Sequence, residues 1–188
     1  MMMMRKITLI IAAVFMMSFV SQAQHVFEKG DVAINAGIGL GGYGGYVPSL
    51  EASVEFGVIP TGDVGLVSFG GVLGWKHTND NYYIGWGFDD YSYSYNQFVI
   101  GARSSWHLHT FTSDKWDVYA GLGIGMKTWT SYDYYDYEKK ESVTQTNSGV
   151  YEEFFVGGRM MFSPGFGMFA EVGYSRLSNV RIGLAFKF

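Results

Sequence analysis

Val180-Arg181-Ile182-Gly183-Leu184-Ala185-Phe186-Lys187-Phe188 is the stretch whose reading decides the fold. Val180, Ile182, Leu184, Phe186 and Phe188 fall on one side of an extended chain. Arg181, Gly183, Ala185 and Lys187 fall on the other. A period of two marks a strand with one apolar and one polar face. An edge strand this apolar is an aggregation hazard in water. Closed against a first strand in a membrane barrel, it turns its apolar face to lipid and has no free edge.

The same alternation recurs upstream. About Asp31–Leu40 places Val32, Ile34, Ala36, Ile38 and Leu40 on one face. About Ser49–Val58 sets Leu50, Ala52, Val54, Phe56 and Val58 against Glu51, Ser53, Glu55 and Gly57. A third strand, about Val64–Lys76, reads in two registers; the favoured one points Val67, Phe69, Leu73 and Trp75 outward. Four more segments follow, at about Tyr95–His109, Trp116–Trp129, Gly149–Phe162 and Phe166–Ser175. With the terminal stretch this predicts eight strands, an even number as in bacterial single-chain barrels. Connections alternate between long (41–48, 77–94, 130–148) and short (60–63, 110–115, 163–165); the last, 176–179, is short where a long one is expected. Trp116, Phe162, Phe166 and Phe188 form one expected aromatic girdle, and Trp75, Trp129 and Tyr174 the other.

Composition agrees. The 188 residues include 26 Gly, 15 Phe and 14 Tyr but only 3 Pro, with 16% charged residues. Absence of Cys excludes disulfides, thiolate metal sites and a Cys nucleophile. Net charge is −4, and −6 without residues 1–23, which carry Arg5 and Lys6 and no acid. An acidic chain is a poor nucleic-acid partner. Arg5 and Lys6, the apolar run Ile7–Val20 and the small residues of Ser21-Gln22-Ala23 predict a secretory signal removed before Gln24. The apolar run falls short of the ~20 residues of a spanning helix. Two units follow: a leader at 1–23 and a barrel at 24–188.

An eight-stranded soluble barrel of the lipocalin or streptavidin type is the alternative. It requires the charged face to point outward. Here Gly and charge share one face and large apolar residues fill the other, which predicts an inside-out barrel. Residues 24–188 resemble the small OmpX/OmpA-type outer-membrane barrels and the eight-stranded domains of the porin superfamily. Arg181, Gly183, Phe186 and Phe188 resemble the C-terminal assembly signal of such proteins, polar-x-Gly-x-x-aromatic-x-aromatic. The resemblance implies a monomer in a Gram-negative outer membrane, with both termini periplasmic. It implies membrane lipid and the barrel-assembly machinery as partners.

The inward face collects Glu51, Glu55, Asp117, Glu153 and Glu171 with Arg103, Lys127, Arg159 and Arg181. Eight strands leave an interior that side chains fill, so these groups are expected to form a lumen charge network rather than an ion path. Eleven of the fourteen Tyr lie in 41–48, 77–95 and 130–148. Tyr82, Tyr83, Trp86, Tyr91, Tyr93, Tyr132, Tyr134, Tyr135 and Tyr137 are the expected surface for a glycan or protein ligand, since Tyr supplies rigid contact area. The competing reading is that these segments are strands running past the membrane, with Tyr favoured by β-propensity.

No nucleotide-binding or nucleophile-elbow motif is present, and no cofactor is expected. His77-Thr78-Asn79 lacks the Ser of the lipid A deacylase segment that it approaches. His107 and His109, expected two apart on one strand face, have no evident third metal ligand. Surface interaction or a structural role therefore leads. A low-conductance porin is the alternative, and a lipid-modifying enzyme ranks third.

Overall fold

The structure is a computed structural model describing residues 25–43, 47–82, 91–111, 115–136 and 141–188. Eight strands follow in chain order: β1 Val32–Leu40, β2 Ser49–Pro60, β3 Gly65–Tyr82, β4 Tyr91–Leu108, β5 Trp116–Asp136, β6 Glu141–Ser163, β7 Phe166–Ser175 and β8 Val180–Lys187. Each pairs antiparallel with its neighbour in sequence, and β1 pairs with β8. Closure gives every strand two partners along the barrel wall, so no apolar edge is left there.

The alternation decides which way the wall faces. Ile38, Leu50, Phe69, Ile100, Leu122, Phe154, Val172 and Leu184 are exposed on the outside. Asn35, Glu55, Arg103, Asp117, Glu153 and Glu171 are buried within. β3 takes the favoured register, with Phe69, Leu73 and Trp75 outward and Ser68, Val72 and Lys76 inward. A continuous band of large apolar side chains far exceeds what a water-exposed surface carries and suits a bilayer.

The segments 77–94 and 130–148, expected as long loops, are mostly strand. β3 and β4 stay paired to Tyr82↔Tyr91, and β5 and β6 to Asp136↔Glu141. Alternating Tyr-Ser and Thr-rich sequence favours extended backbone, and each strand gives the next a ladder to continue on. β4 ends before His109, which begins a 3-10 turn, His109–Phe111. His107 and His109 therefore do not share a strand face.

β1 begins and β8 ends at one end of the barrel, the turn end, where β2, β4 and β6 also end; β1, β3, β5 and β7 end at the other, the hairpin end. Outside the strands, His25–Gly30 folds across the turn end, burying Val26 and Phe27. Gly30 N donates to Gly57 O at 2.9 Å, and Gly57 N donates to Asp31 O at 2.9 Å.

Candidate functional site: a charged lumen sealed at both ends

Alternation sends one residue in two of each strand into the lumen. On eight short-spaced strands these meet across a space a few side chains wide. Three arginines divide five carboxylates among them. Arg159 donates to Glu55 Oε2 at 2.5 Å, to Asp117 Oδ2 at 2.8 Å and to Asn35 Oδ1 at 3.0 Å. Arg103 reaches Glu171 at 2.8 Å and Glu55 at 3.3 Å. Arg181 reaches Glu153 at 2.7 Å, Glu171 at 3.1 Å and Glu51 at 3.5 Å. A planar fork of five donors spreads two or three carboxylates around one fixed cation, where a lysine ammonium offers three donors on a single atom.

Hydroxyls and rings fill what the guanidinium groups leave. Tyr119 donates to Glu171 Oε1 at 2.9 Å and Tyr151 to Glu153 Oε2 at 3.0 Å. Ser49 donates to Glu51 at 2.7 Å and Ser105 to Glu55 at 3.1 Å. Arg103 lies 3.9 Å from the Phe155 ring centre and Arg159 4.5 Å from that of Tyr119. Each of these carboxylates and guanidinium groups thus meets an opposite charge, the condition under which buried ions are tolerated, while Glu51 Oε2, Arg103 Nε, Glu153 Oε1 and Glu171 Oε2 are held by charge alone, without a hydrogen bond. The cavity among Asn35, Ser53, Arg103, Glu171 and Arg181 measures about 10 Å³, room for about one water.

Both ends are stopped by side chains from outside the strands. At the turn end Phe27 packs with Ala33 and Leu66, its ring 4.4 Å from that of His107. At the hairpin end Leu177, from the β7–β8 connection, packs with Val72, Val99 and Tyr151. Lys76 Nζ binds Gly41 O at 2.7 Å and Leu177 O at 3.3 Å, fastening that connection over the mouth.

Glu51, Glu55, Arg103, Asp117, Glu153, Arg159, Glu171 and Arg181 are all buried here. Lys127 is not part of the network: its ammonium lies 5.9 Å from the Trp129 ring, and among the described residues it makes no ion pair. Lys127 sits toward the hairpin end, paired with Gly149, beyond the carboxylates. Trp129 shares its face instead of joining the outward girdle. Arg181 and Gly183 face the lumen and the seam with β1, while Phe186 and Phe188 face outward. Tyr82, Tyr91, Tyr93, Tyr132, Tyr134 and Tyr135 have backbones in the long strands; their side chains, and Tyr83, Trp86 and Tyr137 altogether, lie outside the described residues.

His107 is hydrogen-bonded through Nδ1 to Asp117 Oδ1 at 2.9 Å and through Nε2 to Ser68 Oγ at 3.0 Å. That is the order of a Ser-His-Asp triad. Its surroundings are not those of a hydrolase. All three residues are fully buried, Arg159 holds the same Asp117, and Phe27 covers the histidine. His109 stacks on His25 at 3.8 Å between centroids. Burial and the neighbouring His25 pull His109 below the ordinary imidazole range. Among the described residues no three ligating side chains converge as a metal site.

The chain is an eight-stranded up-and-down β-barrel. No family model matches the sequence, and a search of curated proteins finds no match. Similar solved structures include Ail, the attachment invasion locus protein of Yersinia pestis. It is 14% identical with a TM-score of 0.45, over 85% of this chain and 99% of that one. The N-terminal β-barrel domain of Pseudomonas aeruginosa OprF is 13% identical with a TM-score of 0.46, over 88% of this chain and 100% of that one. A second Ail structure, in complex with the heparin analogue sucrose octasulfate, is also similar, at 14% identity and a TM-score of 0.44 over 85% and 99%.

Proposed function

We propose that this protein is an integral outer-membrane barrel that engages a surface partner through the sheet its hairpins raise above the barrel. In this reading residues 1–23 direct export and are removed, both termini are periplasmic, and β8 is the segment the assembly machinery handles. Outer-membrane lipid covers the apolar wall.

The observation that carries the reading is where pairing stops. β2 pairs with β3 only as far as Leu50↔Trp75, and β7 with β6 only as far as Glu153↔Ser175. β3, β4, β5 and β6 continue together beyond those points as a four-stranded sheet. Its β6 edge, 141–152, has no strand beside it among the described residues. At ~3.4 Å per residue this edge is about 40 Å long. Edges exposed to water are normally blunted with Lys or Pro; Glu-Ser-Val-Thr-Gln-Thr-Asn-Ser-Gly-Val-Tyr-Glu has neither. A row of unpaired backbone donors and acceptors receives an extended polypeptide by strand addition.

Cells displaying the full chain are expected to adhere to a protein-coated surface. Deleting 130–136 together with 141–146, the paired residues of the β5–β6 hairpin from Thr130↔Thr146 outward, is expected to reduce adhesion by about tenfold at equal membrane abundance. Unchanged adhesion would sink the reading. Adhesion retained only on glycan-coated surfaces would replace the polypeptide partner with a carbohydrate.

The stopped lumen weighs against the porin alternative. Planar-bilayer recordings of the full chain are expected to show no steady current, and neither Arg103→Ala nor Glu171→Ala is expected to open one. Stable currents whose ion selectivity moves with either substitution would restore the porin.

A further inference from the structure

The outer wall is not uniformly bulky. β1 and β2 place Ala36 and Ala52 side by side, paired directly across the strands. One register step toward the hairpin end, Ile38 pairs with Leu50, Leu50 with Trp75 and Trp75 with Phe98. Leu73 stands beside Ala52. Two methyl groups among large side chains form the floor of a shallow, open trough on the outside of the β1–β4 wall, with about 500 Å³ of space above its lining. It lies within the apolar band that the proposed function assigns to the bilayer.

A polar pair stands above it. His77 and Asn96 are register partners, bonded Nδ1 to Oδ1 at 2.8 Å, and the His77 ring stacks on Trp75 with an interplanar angle of 12°. Two residues along a strand is ~7 Å, so this pair lies about 7 Å beyond Trp75. A tryptophan at that level with polar groups above it is the arrangement of a membrane–water interface. From interface to midplane the order is therefore hydrogen-bonding pair, indole, trough.

We propose that the trough is a resident lipid site: it holds one acyl chain of a membrane lipid whose polar head meets His77 and Asn96. The inference rests on the membrane reading above. Within a bilayer there is no hydrophobic force favouring one apolar surface over another; contact and hydrogen bonding discriminate. A chain lying on a bulky convex wall is touched on one side. A chain in the trough is touched by the Ala36–Ala52 floor, by Leu73 and by the row of Ile38, Leu50, Trp75 and Phe98, with more close pairs along its length. The opposite wall supplies the contrast: Leu122 and Phe154 pair directly across β5 and β6, and both large side chains are exposed.

The test uses the full chain in phosphatidylethanolamine vesicles containing some lipid with a photoactivatable diazirine on one acyl chain. Peptide mass spectrometry then locates the adducts. Adducts on 50–52 and 73–75 are expected to exceed those on 122–124 and 154–156 by about fivefold. The double variant Ala36→Leu/Ala52→Leu, which fills the trough, is expected to bring the two regions level. Trp75→Ala, which removes a flank, should lower the ratio if the double variant does not fold. Equal labelling of both walls in the unaltered protein overturns the site while leaving the membrane reading intact. An excess on 50–52 and 73–75 that emerges only when the protein is diluted in the vesicles replaces lipid with a second copy and overturns the site. No adducts anywhere on the wall overturn the membrane reading and the site with it.

Discussion

Replacing Arg159 with methionine is expected to cost about 3–5 kcal/mol of stability, read as a fall in the urea midpoint of the barrel refolded in micelles. Methionine keeps much of the bulk, so packing is largely preserved. What is lost is the only guanidinium among the described residues that binds Asp117, together with the closest partner of Glu55 and the donor to Asn35. Both carboxylates are fully buried, and Phe27 keeps water from reaching them through the turn end. Leaving a buried charge unpaired costs more than the intact pair contributes, because its desolvation is no longer offset. Arg176→Ala is the control. Arg176 meets Glu152 at 3.7 Å with both side chains well exposed, and an exposed pair of this kind contributes little. An Arg159→Met midpoint no lower than that of Arg176→Ala would show that the lumen network is dispensable.

The lumen network follows from a pattern written in the sequence, and the stoppers do not. Which residues face inward is a matter of parity, so Glu55, Arg103, Arg159 and Glu171 could be assigned from alternation. Parity also places Lys127 inward, yet says nothing of height. Lys127 stands beyond the level of the carboxylates because the long hairpins carry it there. Lys76, Val72 and Val99 share the inward parity of their strands, so the apolar patch under the hairpin-end mouth was readable in principle. Phe27 and Leu177 were not. Neither lies in an alternating segment, and each is buried only because a connection or a terminal stretch folds back over a mouth that exists once the barrel has closed. The β6 edge has the same character. Strand-forming sequence in 141–152 reports extended backbone, but the missing neighbour comes from where β7 ends its pairing, at Ser175↔Glu153.

Gly37→Val and Gly183→Val are each expected to abolish the folded species, so that no heat-modifiable band forms at any refolding condition in which the unaltered chain folds. The seam that closes the barrel is the β1–β8 pair, and Gly37 faces Gly183 across it. A Cβ built on Gly37 would lie 2.1 Å from Ile182 O and 2.8 Å from Gly183 Cα; one on Gly183 would lie 2.2 Å from Ala36 O and 2.5 Å from Gly37 Cα. The obstructing atoms are backbone, so no rotamer change relieves the clash, and the two strands must move apart. Moving them apart breaks the ladder that closes the sheet, and inside lipid each unsatisfied backbone group costs several kcal/mol. Gly183 also fills the glycine position of the terminal motif that Arg181, Phe186 and Phe188 complete, so two explanations of its role compete. They separate on Gly37, which lies outside the motif. If Gly183→Val fails while Gly37→Val folds with normal yield, the glycine serves recognition during assembly. If both fail, and both also fail when refolded into micelles without any assembly factor, the requirement is steric and belongs to the seam.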